Sequence, residues 1–500
     1  QRDQMATRTP FSFFVPLLGA LAVAACGEVS TLDSGDVDQG EPDTGTPDSG
    51  GTGGGNTGSG GAVGTSGGAA GASTGGGSGG SSEPEPVLDA DLVIDSSATH
   101  QRIDGFGAAL PMWVGSAAGM LTSDEIHKWV GLGDDQLGLS IVRTIIEPAR
   151  AKWAYAVANL KEAKSYGSDV SILASPWSPP AAMKSNNSTT GGGKLLTDYY
   201  DDYASHLNGY VGYMAGQGVT IDVVSVQNEP DWHPDYDSCD WTGSELLNFV
   251  KNNAPAIVGP RILIAESLQF TRSYTDPTLN DAVAVQNIDL VGGHLYGAEP
   301  AGKFTAYPLA REKGKPQWMT EWLTHEADGS GAAIWGGDNQ AVWDETMDQV
   351  LRSVHRAMTI DWSAFIWWWG RRYYSFMGDG DANFGTTKGQ ILKRGWAFSH
   401  YAKFVRPGAT RVDVEAGDTL SGLEITAYRR ENETVVVLLN RTTTTYDEVI
   451  VEGPAKLLGV EAYATSRSQN RAATPVTETG RYATLASIAP RSIVTLVMSH

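Results

Sequence analysis

Two short stretches of the 500-residue sequence hold the residue types that acid–base cleavage of a polar, uncharged bond needs: Val226-Gln227-Asn228-Glu229-Pro230 and Trp318-Met319-Thr320-Glu321-Trp322. Each closes a short, mostly apolar run with a glutamate. Glycosidic bonds are cut by such a pair of carboxyl groups, one protonated to donate to the leaving oxygen and one ionised to attack or to activate water. A lone glutamate is usually a surface group or half of an ion pair. Asn-Glu-Pro and Thr-Glu at the ends of two separate runs form a more specific combination.

Two carboxyls distant in sequence meet only if a scaffold brings their strand ends together. Eight strand candidates follow one another at residues 103–109, 140–146, 171–175, 222–228, 261–265, 287–295, 317–320 and 364–369. Each is a brief apolar run of the kind buried on both faces of a parallel sheet. Helical stretches lie between them, clearest at 123–132, 196–216, 243–253 and 340–359, the first with Thr122 and Glu125 spaced as a capping box. Eight β-then-α units predict a (β/α)8 TIM barrel over residues 101–407. A doubly wound sheet would carry a Gly-rich phosphate loop after its first strand, and Gly105, Gly107 and Ala108 fall short of one. Catalytic groups of such barrels sit at the C-terminal ends of strands, where Glu229 closes the fourth and Glu321 the seventh.

Beyond Pro407 the rhythm becomes all-β, with strand candidates at 411–415, 423–429, 434–439, 448–452, 457–462, 481–485 and 492–498. A sandwich over 408–500 is predicted. A strand at 91–95, within residues 87–100, is expected to join it, so that the β-domain is built from both chain ends.

A formal charge of -22 and a pI near 4.8 argue against a nucleic-acid partner, which needs a basic face. Cys26 and Cys239 are too few for a disulfide framework, and neither stands at metal-ligand spacing with histidines. No cofactor is expected. Asp379-Gly380-Asp381-Ala382-Asn383 hints at a calcium loop, but Phe384 stands where an EF-hand needs Gly and Gln390 where it needs Glu, so no metal is expected either. Residues 1–26 read as an export signal, with translation expected to start at Met5 and an apolar run ending at Val23-Ala24-Ala25-Cys26, which resembles a bacterial lipobox. A plain signal with an incidental cysteine is the alternative. Lipidated Cys26 would tether an exported, cell-surface or extracellular monomer to a membrane. Residues 27–86, rich in Gly, Ser, Thr and Asp, are expected to be a disordered spacer.

From about Asp91 to its end the chain resembles glycoside hydrolase family 30. The resemblance rests on Gln101-Arg102-Ile103-Asp104-Gly105-Phe106-Gly107, Ser175-Pro176-Trp177-Ser178-Pro179-Pro180, Gln227-Asn228-Glu229-Pro230-Asp231, Gly293-His294-Leu295-Tyr296-Gly297 and Trp318-Met319-Thr320-Glu321, in that order. It implies a barrel with a β-sandwich and a retaining double displacement, with Glu229 as acid/base and Glu321 as nucleophile. It also implies that Arg143 and Tyr296 hold the nucleophile charged and that Asn228 bonds a sugar hydroxyl. Trp113 and Trp177 would be sugar-stacking walls; core packing is an equal alternative for any one tryptophan.

Trp367-Trp368-Trp369-Gly370-Arg371-Arg372-Tyr373-Tyr374 resembles the family's bacterial glucuronoxylanase subgroup, in which the position of Arg372 binds the carboxylate of a methylglucuronic acid branch, with Trp368 and Tyr374 beside it. The alternative is an arginine pair balancing Asp379 and Asp381. The subgroup's tyrosine and serine after the nucleophile are here Leu323 and Glu326. A glutamate there would repel a glucuronate unless it points away. The expected substrate is β-1,4-xylan, cut internally at positions set by glucuronic acid branches of glucuronoxylan. The alternatives are a β-1,6-glucan or another xylan decoration, and a non-catalytic surface carbohydrate-binding lipoprotein.

Overall fold

A computed structural model describes residues 87–330 and 334–500. The expected signal, Cys26 and the spacer lie outside the described residues. Strand β1 (Leu92–Arg102) runs first, longer than the expected 91–95, and leads into eight parallel strands that close into a barrel. These are β2 (Gly105–Ala109), β3 (Ile141–Ile145), β4 (Ser171–Ser175), β5 (Val223–Ser225), β6 (Arg261–Ser267), β7 (Leu290–His294), β8 (Gln317–Glu321) and β9 (Ala364–Trp367). All eight expected strands are present. The fourth is shorter than expected because Val226–Glu229 leave the ladder to form the site.

Inside the barrel, Ile141, Leu173, Val223, Leu263, Leu290, Trp318, Ala364 and Ile366 make one buried layer. Strand side chains alternate, so residues an even number of positions further along point the same way. Arg143, Ser175 and Trp368 stand two past members of this layer, and His294 stands four past Leu290. They therefore rise from the packed floor toward the C-terminal mouth. Thr122 with Glu125 forms the expected capping box at the start of its helix, and Thr242 with Glu245 forms a second complete one. The stretch expected as one helix over 340–359 is broken by a π segment, Thr346–Leu351, where the Thr346 hydroxyl donates to the Val342 carbonyl.

The C-terminal strands are β10 (Thr410–Ala416), β11 (Glu424–Arg430), β12 (Glu433–Asn440), β13 (Tyr446–Glu452), β14 (Gly459–Thr465), β15 (Ala472–Ala473), β16 (Val476–Thr479), β17 (Tyr482–Ile488) and β18 (Ser492–Ser499). With β1 they form one sheet of order β15-β14-β18-β12-β11-β10-β1-β13-β17-β16. It folds over a core that includes Leu92, Val436, Leu438, Val451, Leu485 and Leu496. β1 pairs antiparallel with β10 and parallel with β13, which makes the β-domain from both ends of the folded chain. The two-residue β15 and the largely exposed β16 have no counterpart among the expected strands.

Candidate active site

Glu229 lies just past β5, with its backbone at φ +45°, a left-handed conformation rare for residues with a side chain. Its amide donates to the Glu266 carbonyl at 3.0 Å, which fixes this turn from the neighbouring strand. Such strain persists where the surroundings over-determine it, often at functional sites. Glu321 closes β8. It stands three, not two, residues past Trp318, and the β7–β8 ladder slips between Gly293 and His294 to admit it. The slip turns an odd spacing inward.

Arg143 joins these parts. Fully buried, it donates through Nη1 to Glu321 Oε2 at 2.5 Å, through Nη2 to Asn228 Oδ1 at 2.6 Å and Glu266 Oε1 at 3.0 Å, and through Nε to Ser175 Oγ at 3.3 Å. Tyr296 Oη donates to the other Glu321 oxygen, Oε1, at 3.0 Å. Both Glu321 oxygens are thus held, one by a cation and one by a phenol. Burial, then the charges of Glu321 and Glu229, push the Tyr296 phenol well above its ordinary range, so it keeps its proton to donate. Asn228 spends its carbonyl on Arg143, which leaves its amide nitrogen to face a ligand hydroxyl.

Glu229 meets different surroundings. Burial, and then the charge of Glu321 against the opposing bond from His294, raise its carboxyl to about 7. His294 Nδ1 lies 2.9 Å from Glu229 Oε1. Burial disfavours a charged His294, but Glu321, Glu229 and Glu266 outweigh it and raise the imidazole to about 9. One carboxyl therefore tends to keep a proton while its neighbour accepts two donors. That divergence separates acid from nucleophile.

Among the described residues, Glu229, His294 and Glu321 are the only trio of metal-ligand types with donor atoms so clustered, each within 4.8 Å of the others. Within the trio His294 Nδ1 is spent on Glu229, and Glu321 is spent outside it on Arg143 and Tyr296. A guanidinium bonded to Glu321 also opposes a cation, so the trio fits a carboxylate pair better than a metal site. The facing carboxylate oxygens come within 4.8 Å of each other, closer than the roughly 6.5–9.5 Å gap that admits an inverting water.

His294 and Glu266 had no role in the sequence reading. His294 was legible through its even spacing from Leu290. Glu266 was not: it lies in a β-bulge between Ile264 and Ser267, where Ala265 adopts φ +82°, and a straight strand would turn it outward. Burial pushes Glu266 upward, but Arg143 and then His294 prevail and hold it down at about 2. Gly292 makes room for this strand, since a Cβ there would lie 2.6 Å from Leu263 Cδ2 and 3.3 Å from Glu266 Cγ.

The other expected residues divide. Trp113 is half-buried with φ +54°; its ring centroid lies 5.4 Å from that of Trp177 and 6.0 Å from that of Trp368. Trp177 also stacks under Arg143, 4.7 Å from the guanidinium carbon. Trp177 and Trp368 are nearly fully buried, so packing describes them as they stand, while Trp113 offers an accessible face. Tyr374 is not at the surface: it is buried, with its ring stacked on His325 at 5.3 Å. The arginine pair splits. Arg371 bonds Glu125 and the Gly119 and Met120 carbonyls, a structural tie, whereas Arg372 is 27 % exposed and touches Asp379. Glu326 points to Gln349, whose Nε2 donates to it at 2.6 Å. Cys239 is buried, and burial raises its thiol to about 12. A cleft of about 850 Å³ lies at the opposite, N-terminal end of the barrel and is lined by none of these groups.

Residues 146–303 match the glycosyl hydrolase family 30 TIM-barrel domain, and 408–496 match that family's beta sandwich domain. The chain is similar to the glucuronoxylanase XynC of Bacillus subtilis (strain 168), 34% identical over 429 residues that cover 84% of this chain and 94% of that protein. Among solved structures it is similar to the family 30 subfamily 8 xylanase Xyn30A of Clostridium acetobutylicum, with TM-score 0.70, 30% identity and coverage of 82% of this chain and all of that one. A family 30 endoxylanase of Clostridium papyrosolvens C71 is similar as well, with TM-score 0.67, 33% identity and 82% of this chain covered.

Proposed function

Because this chain belongs to glycoside hydrolase family 30, we propose that it cleaves β-1,4-xylan within the polymer by double displacement with retention. Glu229 gives its proton to the glycosidic oxygen while a Glu321 oxygen attacks the anomeric carbon. A covalent glycosyl-Glu321 forms and the leaving chain departs. Glu229, now ionised, takes a proton from water, which attacks the anomeric carbon and frees Glu321. Asn228 donates to the hydroxyl beside the reacting carbon. Arg143 and Tyr296 orient Glu321, and Trp113, with Trp177 and Trp368 behind it, forms the aromatic wall.

The observation that carries this reading is the close, unequal carboxyl pair, within 4.8 Å, one held by two donors and the other raised to about 7. Glu321→Ala is expected to lose activity and to regain turnover with azide, releasing a glycosyl azide; full activity of that variant refutes the assignment.

Selection of glucuronic acid branches through Arg372 is the finer part of the proposal, since a guanidinium suits a carboxylate even on an acidic protein. Reducing-sugar release from glucuronoxylan, debranched xylan and β-1,6-glucan tests it. Equal rates on both xylans refute branch selection, and cleavage of the β-glucan alone refutes the xylan reading. Export and lipidation at Cys26 complete the proposal. Metabolic labelling with a fatty acid is expected to mark the parent and not Cys26→Ala.

A further inference from the structure

The loop after β9 places an internal carboxylate on the arginine expected to read the branch. Arg372 Nη1 lies 3.4 Å from Asp379 Oδ2, and both side chains are partly withdrawn from water, at 27 % and 17 % exposure. Asp379 is not a passing surface partner. Its other oxygen, Oδ1, accepts from the Asp381 amide at 3.2 Å and from the Thr386 hydroxyl at 3.2 Å, so the loop itself fixes it. Arg372 is anchored through its backbone, whose amide donates to the Met377 carbonyl at 3.0 Å, and its guanidinium lies over the Tyr373 ring.

Other donors for a branch are few on the neighbouring loop. Leu323 is apolar, and Glu326, held by Gln349, brings negative charge. A sugar acid reaching Arg372 therefore shares its guanidinium with Asp379 and meets a like charge, with no hydroxyl at 323 or 326 to compensate. Like charges on one cation oppose each other most where water is partly excluded.

We infer that Asp379 is a specificity-determining residue: by occupying Arg372 it weakens selection of the glucuronate branch and lets the enzyme cut sparsely branched xylan. The inference rests on the branch-reading role proposed for Arg372. It makes branch dependence a property of the Arg372–Asp379 pair rather than of Arg372 alone.

The test compares parent, Asp379→Asn, Arg372→Ala and the double variant. For each, kcat/KM is measured on glucuronoxylan and on the same polymer with its acid branches removed, and the ratio is the readout. Asparagine keeps the shape and the loop hydrogen bonds while removing the charge, and a thermal melt confirms folding. The expected ratio rises about five- to tenfold in Asp379→Asn and falls in Arg372→Ala, and Asp379→Asn adds nothing in the double variant. A ratio lowered by Arg372→Ala but unmoved by Asp379→Asn overturns the role of Asp379 and leaves the branch reading standing. A ratio unmoved by Arg372→Ala overturns both. A ratio raised equally by Asp379→Asn with and without Arg372 also overturns the pairwise role.

Discussion

Replacing Glu321 by Gln removes a negative charge from beside Glu229 with little change of shape, and Glu229 should acidify in response. The carboxylate oxygens approach within 4.8 Å. At an effective dielectric of ~20, two unit charges at that range repel by about 3 kcal/mol, equivalent to roughly 2 pKa units. Burial, the largest cause of the rise to about 7, is unchanged by the substitution, so Glu229 should stay above an ordinary carboxyl. Selective ¹³C labelling of glutamate, with the Glu229 carboxyl titrated by NMR in parent and variant, reads this directly. A fall of about one to two units is expected. The same charge leaves during turnover, when Glu321 becomes an ester, so the fall also describes how an acid becomes a base in the second step. In the parent, kcat/KM should decline as pH rises through about 7, because Glu229 then loses the proton it must donate. An unchanged or raised Glu229 titration in Glu321→Gln would refute the electrostatic coupling of the pair.

Tyr296→Phe deletes one donor to a charged acceptor, a contribution of about 1.5–3 kcal/mol, and is expected to lower kcat about ten- to a hundredfold with the fold intact by circular dichroism. Glu266→Gln leaves buried Arg143 short of one counter-charge and should destabilise by about 3 kcal/mol or more in denaturant titrations at pH 7. Glu266 is held down at about 2, so its contribution is present above the ordinary carboxyl range and is lost as pH falls toward 2; the gap between parent and variant should shrink on acidification. Thr242→Ala removes a capping box remote from the chemistry and should cost about 0.5–2 kcal/mol of stability with kcat unchanged.

The barrel was legible because each strand is a short apolar run followed by a helical pattern, and that rhythm does not depend on exact boundaries. Glu321 was legible because its motif closes a strand, and Glu229 because its motif directly follows one. Glu266 was hidden by a bulge: a period of two, carried past Ala265, points it away from the site, and what reverses it is a left-handed residue that is not glycine. Tyr374 shows what the motif alone leaves open: the chain after β9 turns so that its ring packs on His325 and its carbonyl accepts from buried Arg394. The π segment at Thr346–Leu351 escaped because its residues fit an ordinary amphipathic helix.

The two kinds of residue differ in what holds them, and this bears on how the enzyme's substrate can change. Arg143, Glu266, His294 and Glu321 lie on barrel strands, are almost fully buried and bind one another, so removing any one leaves a charge without its partner in a dry interior. Arg372, Asp379 and Leu323 lie on loops and are half-exposed, Glu326 opens a short 3-10 turn and is exposed, and their polar contacts close within the segments after β8 and β9 or onto the adjacent helical segment. Substitution in the second group costs little stability, because water can replace what is lost. Substrate choice can therefore shift through a single loop carboxylate while the carboxyl pair stays fixed, and Asp379 is where this chain places that adjustment.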